Sequence, residues 1–327
     1  MTQLVTIFGG SGFVGRYIAR RLAQDGWRIR VACRSPEEAG FVRTYGVVGQ
    51  VEPVFCNIRD DDSVRAVTRG ATAVVNCVGV LAETGKNTFK AVQAEAPGRI
   101  ARIARDEGVA RMVQISAIGA DADAGSAYAR TKAQGEAAVL EHMPQAVILR
   151  PSIVFGPEDE FFNRFAGMSR LGPVLPVVGA DTRFQPVFVD DVAAAAVAAL
   201  DDPTAQGVYE LGGPDVGTFR ELMQRMLDVV QRKRIVLNVP FLIARLMAAG
   251  FGVLKAVTFG LVTPPLTGDQ VRNLKVDNVV AADARGLADL GVTPTPMSAV
   301  LPGYLWRFRP SGQYAEIKNS AKNLKQL

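Results

Sequence analysis

The sequence predicts an α/β fold, a doubly wound parallel sheet with a smaller mixed C-terminal lobe and an extended tail. Two patterns carry that prediction. Short β-branched runs alternate with helical stretches from residue 1 to about 155, and a glycine-rich turn follows the first run. Such alternation gives a parallel sheet wrapped by helices. The runs are LVTIF at 4–8, RIRVAC at 28–33, VEPVFC at 51–56, TAVVNCV at 72–78, ARMVQIS at 110–116 and AVILRPSIVF at 146–155. Between them, 17–25, 63–69 and 97–107 place Ala, Leu, Ile or Val at helical spacing with charged residues between. Helix starts are marked by Ser35-Pro36-Glu37-Glu38, a Ser-x-x-Glu box with proline at the first helical position, and by Asp60-Asp61-Asp62-Ser63.

At 327 residues, 48% hydrophobic and 21% charged, the chain holds about two domains' worth of globular protein. Its one histidine, His142, rules out imidazole-rich zinc sites, and its place before Met143-Pro144 reads as a helix end. Cys33, Cys56 and Cys77 are odd in number, widely spaced and free of a C-x-x-C pair, so neither a disulfide framework nor a metal site is expected. No targeting peptide is visible before the first strand, which makes a reducing, cytosolic side the expectation. The net charge of +5 is uneven: 229–268 carries +5 and 304–327 carries +4, leaving the rest at −4. An acidic body with two basic C-terminal segments argues against nucleic acid as a partner and for a basic docking surface.

Directly after the first strand stand Gly9, Gly10, Ser11, Gly12, Phe13, Val14 and Gly15. Glycines there permit a tight turn, let the backbone approach a pyrophosphate and bring the next helix against the strand, whose neighbouring N–H groups hold the anion. In this strand-to-helix setting the spacing predicts a Rossmann-type dinucleotide site. The second strand ends Cys33-Arg34-Ser35, with a cation where an NAD-preferring site carries Asp or Glu. Arg34 can pair with a 2′-phosphate, so NADPH is the expected cofactor. Tyr128 and Lys132 share one helix face, where the ammonium would lower the phenol's pKa for proton transfer, and Ser116 could polarise the same substrate oxygen.

These residues resemble the short-chain dehydrogenase/reductase superfamily in its extended or atypical branch, over about residues 3 to 230. The resemblance rests on the glycine motif, Asn76-Cys77-Val78-Gly79, Ser116, Tyr128 with Lys132, Arg150-Pro151-Ser152-Ile153-Val154-Phe155-Gly156-Pro157 and Val189-Asp190-Asp191-Val192-Ala193. It implies nicotinamide along the carboxyl edge of the sheet, ribose held by Tyr128 and Lys132, and a strand from Arg150 flanking the ring. The expected cofactor set is Gly9 to Gly15, Arg34, Asn57, Ile58, Cys77, Val78, Gly79, Ser116, Tyr128, Lys132, Pro151 and Ile153. Gln93 stands where such enzymes usually carry asparagine, and the short 116–128 loop holds little for substrate recognition, so Tyr128, Lys132 and Ser116 are expected to be vestigial or cofactor-positioning.

The C-terminal third opens with Arg232-Lys233-Arg234 and an apolar segment, 241–263, whose only charges are Arg245 and Lys255. Two charges and three glycines argue against a bilayer span. On a helix the two cations lie about 80° apart, the pattern of a helix in a membrane interface or packed on an apolar partner. A helix covering the second lobe's own core remains the alternative. The stretch Pro265-Leu266-Thr267-Gly268-Asp269-Gln270-Val271-Arg272-Asn273-Leu274-Lys275-Val276-Asp277-Asn278-Val279-Val280 resembles the NADPH-binding accessory subunits of respiratory complex I, in their alphaproteobacterial form. That resemblance implies a structural NADPH and docking on peripheral-arm and membrane-interface subunits at the cytoplasmic face of a bacterial inner membrane. It also allows contact of 232–263 with anionic lipid, and no homo-oligomer is expected. The competing expectation is a free NADPH-dependent reductase or epimerase using Tyr128 and Lys132. Domains are expected at 1–157 with 186–202 for the dinucleotide, 158–185 with 203–303 for the smaller lobe, and 304–327 for the basic tail.

Overall fold

Every β-branched run of the first half forms a strand: β1 (Leu4–Phe8), β2 (Arg28–Cys33), β3 (Val51–Phe55), β4 (Ala73–Asn76), β5 (Arg111–Ile115), β6 (Val147–Pro151) and β7 (Val154–Phe155). Between them lie α1 (Phe13–Gln24), α2 (Asp61–Thr68), α3 (Ala96–Asp106) and α4 (Ala127–His142). The second half adds α5 (Phe162–Met168), β8 (Val174–Val178), β9 (Arg183–Phe184), β10 (Val187–Phe188), α6 (Val189–Asp201) and β11 (Gly207–Leu211). It closes with β12 (Gly217–Thr218), α7 (Phe219–Val229), β13 (Ile235–Val239), α8 (Phe241–Val257), α9 (Gly268–Asn273) and α10 (Met297–Leu305). The structure, a computed structural model, describes residues 3–257 and 267–314.

Seven strands pair in parallel in the order β11-β6-β5-β4-β1-β2-β3. Period-two alternation splits the sheet's side chains between two cores. Val5, Ile7, Val113, Val147 and Leu149 meet α1 and α6 on one face, while Phe8, Met112 and Ile148 meet α2, α3 and α4 on the other. Thr6 also falls on the second face; its buried hydroxyl donates to the Val67 carbonyl at 2.7 Å, which removes the cost of an unpaired polar group. Asp60 caps α2 through the Ser63 N–H at 2.8 Å.

The second lobe has its own core of Phe155, Phe162, Phe184, Phe219 and Met223. Beneath it Tyr304 donates to the buried Asp159 at 2.5 Å.

Three expectations change. Ser35 starts no α-helix: 36–39 is a turn leading into a 3₁₀ segment, Gly40–Tyr45, since the stretch offers only Ala39 and Val42 to the core. β11, expected with the smaller lobe, pairs with β6 as an edge of the main sheet, register Gly207 to Val147. Tyr304 and Leu305, expected in the tail, are buried in the second lobe, with Arg309 donating to the Val229 carbonyl at 2.9 Å; residues 315–327 of that tail lie outside the described residues.

The apolar segment forms α8 as far as Val257, and its expected remainder, 258–263, lies outside the described residues. Over 241–250, Ala244 and Ala248 face inward with Phe241 and pack with Val271 of α9. Leu242 and Leu246 face out, 70% and 67% exposed, beside Ile243 and Met247. The inward face of the helix thus covers Val178 and Val239 of its own lobe, while Leu242, Ile243, Leu246 and Met247 stay uncovered among the described residues. No helix among the described residues is long and apolar enough to cross a membrane.

Candidate functional site

Every loop expected at the nucleotide leaves the sheet at its carboxyl edge, around the point between β1 and β4 where strand order reverses. Such a switch point opens a crevice in open α/β sheets. Gly9, at φ +73°, turns the chain out of β1, donating to the Ala32 carbonyl at 2.9 Å and accepting from the Gly12 N–H at 2.9 Å. Gly12 is the N-cap of α1 and brings no side-chain cap, and the first turn carries no acidic residue, so its N–H groups are left for an anion. A Cβ on Gly15 would lie 2.3 Å from the Gly9 carbonyl oxygen and 2.7 Å from the Gly10 Cα. One on Gly12 would stand 3.1 Å from that same oxygen. A backbone cradle this tight at the helix fits a dinucleotide's pyrophosphate.

The cradle opens into a cleft of about 310 Å³ lined by Gly9, Gly12, Phe13, Val14 and Gly15, by Cys77, Gly79, Val80 and Leu81 after β4, and by Tyr128. Among the described residues none of the second lobe lines it. Gly10, Ser11 and Val78 belong to the same loops without lining the cleft. Burial pushes the Cys77 thiol up to about 12, which keeps it protonated and unreactive.

Arg34 is exposed just beyond β2, and its side chain makes no hydrogen bond or ion pair among the described residues. Arg16, the other cation nearby, is engaged: it donates to the Ser11 carbonyl at 3.1 Å, stands 3.8 Å from Glu158 and covers the Phe41 ring. Asn57 accepts from the Arg59 side chain at 3.2 Å, and Ile58 packs on the core under α2. Pro151 is buried and accepts from the Ile118 N–H at 3.0 Å, while Ile153 packs into the second lobe's core. The structure does not bring Arg34, Asn57, Ile58, Pro151 or Ile153 to the cleft wall.

Tyr128 and Lys132 do share one face of α4. The Tyr128 hydroxyl makes no hydrogen bond among the described residues, and its ring meets Phe89 edge-on at 6.0 Å. Lys132 is 7% exposed, beneath Gly79, with its ammonium 6.0 Å from the Tyr128 ring centre and 3.4 Å from the Ile115 carbonyl. Burial lowers the Lys132 ammonium to about 8, although Glu136 opposes the fall. Burial also pushes the Tyr128 phenol up to about 12. Burial thus sets the direction for the phenol, opposite to the lowering expected from Lys132. Ser116 departs further. Its hydroxyl donates to Glu136, which Arg150 grips at 2.6 and 3.0 Å, so it serves a buried ion pair instead of a substrate oxygen.

Gln93, at the position where such enzymes usually carry asparagine, is engaged at both ends of its amide. Its amide nitrogen donates to the Val80 carbonyl at 2.6 Å and its oxygen accepts from Thr131 at 3.0 Å, tying the cleft loop to α4. It sits in a π-helical turn, Lys90–Glu95, against Gly135, where a Cβ would come within 2.0 Å of the Gln93 carbonyl oxygen. Sequence reading missed two residues. Glu136 had a signal, one turn beyond Lys132 on the same face. Asp269 had none: its carboxylate accepts from the N–H groups of Ala127 and Tyr128 at 2.8 and 3.0 Å, across more than 140 residues.

The fold and cradle define a nicotinamide-dinucleotide-binding protein, and the chain belongs to the NAD dependent epimerase/dehydratase family, whose model matches residues 5–212. Among solved structures, it is similar to UDP-glucose 4-epimerase of Thermus thermophilus in complex with NAD, with a TM-score of 0.68 and 18% identity over 94% of this chain and 100% of that one. That likeness shows the fold alone. Its relatives include the mitochondrial NADH dehydrogenase [ubiquinone] 1 alpha subcomplex subunit 9. The Arabidopsis thaliana protein is 37% identical over 317 residues, covering 94% of this chain and 79% of that one. The Mus musculus protein is 32% identical over 298 residues, covering 90% and 77%. It is also similar to ceramide reductase of Caulobacter vibrioides, 31% identical over 239 residues, covering 72% and 74%.

Proposed function

We propose that the chain is an accessory subunit of NADH:ubiquinone oxidoreductase that holds NADPH as a structural ligand. The likeness to the alpha subcomplex subunit 9 proteins over nine-tenths of the chain carries this reading. The N–H groups from Gly9 to Gly15 would hold the pyrophosphate, Arg34 a 2′-phosphate, and Tyr128 with Lys132 the nicotinamide ribose. Bound NADPH carries a hydride donor, but here it acts as a staple: a ligand that binds only the folded form stabilises it by mass action.

Three features favour a structural ligand over a catalytic one. Among the described residues the cleft is lined from the nucleotide-binding half, Ser116 is turned to Glu136, and burial raises the phenol's pKa. The proposed partners are peripheral-arm and membrane-interface subunits, reached through α8 and the exposed Ile235 and Leu237 of β13, at the cytoplasmic face of a bacterial inner membrane. Anionic lipid could add to this docking through Lys233 and Arg245, both exposed. Arg232 and Arg234 contribute less, because they donate to the carbonyls of Phe308 and Ser169.

The test is purification of the tagged chain from detergent-solubilised membranes, followed by nucleotide analysis. Co-purification with the respiratory complex and NADPH that does not exchange on dilution is expected. The ceramide reductase likeness and the intact Tyr128 and Lys132 pair favour a second reading, a free NADPH-dependent reductase or epimerase. Steady NADPH oxidation with a carbonyl substrate, abolished by Tyr128→Phe, would establish it and refute the structural role.

A further inference from the structure

The short helix α9 touches both the cleft-bearing helix and the outward-facing one. Asp269 in its first turn, with a side chain 16% exposed, accepts from the Ala127 N–H at 2.8 Å and the Tyr128 N–H at 3.0 Å. These are the first two N–H groups of α4, and Ser126 takes that of Ala129 at 3.0 Å. A carboxylate on a helix N-terminus makes charge-assisted hydrogen bonds with the favourable end of the dipole. Elsewhere on α9, fully buried Val271 packs with Ala244 and Ala248 of α8. The helix itself is held by the reciprocal cap of Thr267 and Gln270, and by Thr182 donating to the Leu274 carbonyl at 2.6 Å. The six residues of α9 thus link the first turn of α4 to the seat of α8.

We infer that Asp269 is a positioning residue coupling the filling of the nucleotide cleft to the seating of α8. The inference rests on the proposed nucleotide reading. A dinucleotide against Tyr128 and Lys132 restrains the first turn of α4, which firms the two bonds to Asp269 and, through Val271, holds α8 with Leu242, Ile243, Leu246 and Met247 outward. Docking to a partner and retention of nucleotide then strengthen each other, because coupling between two sites is reciprocal.

Hydrogen–deuterium exchange on the full chain, with and without NADPH, reads this directly at 9–15, 127–132 and 241–250. In the wild type, NADPH slows exchange at all three, by about fivefold or more at 241–250. In Asp269→Ala, NADPH still binds and protects 9–15, but protection at 241–250 no longer depends on it. Asp269→Asn, which keeps one acceptor oxygen, retains part of the dependence. A purely structural Asp269 would lower the melting temperature and leave the nucleotide dependence at 241–250 intact in both variants, which overturns the inference. NADPH binding to the wild type without any change at 241–250 overturns the coupling alone. Failure of NADPH to bind the wild type removes the coupling together with the nucleotide reading.

Discussion

Gly15→Ala is the sharpest test of the cradle. The added methyl would sit 2.3 Å from the Gly9 carbonyl oxygen and 2.7 Å from the Gly10 Cα, both backbone atoms that no rotamer change can move. Overpacking of this kind costs about 1–3 kcal/mol, and a clash with two backbone atoms belongs at the upper end. Relief requires α1 to separate from the turn, which opens the N–H groups that would converge on the pyrophosphate. If that cost falls on the bound state, affinity drops on the order of 100-fold at 1.4 kcal/mol per tenfold. Gly12→Ala meets the same oxygen at 3.1 Å, a distance that a small shift relieves, so about tenfold is expected. Gly125→Ala, with nothing within 4 Å of its Cβ, is the control. NADPH titration gives the affinities, and thermal unfolding with and without nucleotide separates lost binding from lost folding. A Gly15→Ala protein that folds and binds NADPH within twofold of the wild type refutes the cradle.

Further predictions follow from the surrounding side chains. Arg34→Ala weakens NADPH by about tenfold or more and leaves NADH unchanged, since a charged hydrogen bond to phosphate contributes about 1.5–3 kcal/mol; equal losses for both would show that Arg34 reads no phosphate. Glu136→Gln strips Arg150 of its closest carboxylate, and breaking a buried pair costs about 3–5 kcal/mol in urea unfolding. Ser116→Ala, by contrast, leaves NADPH retention at the wild-type rate, and a large loss there would return Ser116 to the cofactor. Lys132 has a folded pKa of about 8, below its ordinary 10.5, so between those values the unfolded chain holds a proton the folded chain has released. Stability from this group therefore rises with pH across that window. Lys132→Met should exceed the wild type in stability most below pH 8 and lose that advantage by about pH 10.5; a pH-independent difference would contradict the burial of a charged lysine.

The first half of the fold was legible because its signals are local. Strand runs such as LVTIF and RIRVAC alternate with helices that return the chain to one sheet, and the glycines at 9, 12 and 15 need only their own strand and helix to be understood. The same holds for the exposed Arg34 and for Tyr128 and Lys132 on one helix face. Where the reading went astray, competing partners lay elsewhere. Ser116 was assigned by its place after β5, yet Glu136, twenty residues on, takes its hydroxyl. The phenol of Tyr128 was expected to fall beside a lysine, but burial, which no spacing reveals, raises it.

Sequence alone determined the parallel sheet and the glycine cradle at its switch point, since each depends on residue types a few positions apart. It also showed the apolar, basic character of the segment that becomes α8, though not its orientation. Only the tertiary structure decided that α8 turns Ala244 and Ala248 inward and Leu242 and Leu246 outward, that β11 joins the main sheet, and that Asp269 caps the helix carrying Tyr128. Each of these outcomes depends on a contact with another element, 23 to 27 residues away for Ala248 and Ala244 against Val271, 60 for β11 on β6 and 142 for Asp269 on Ala127, and such partners leave no periodicity in the chain to read.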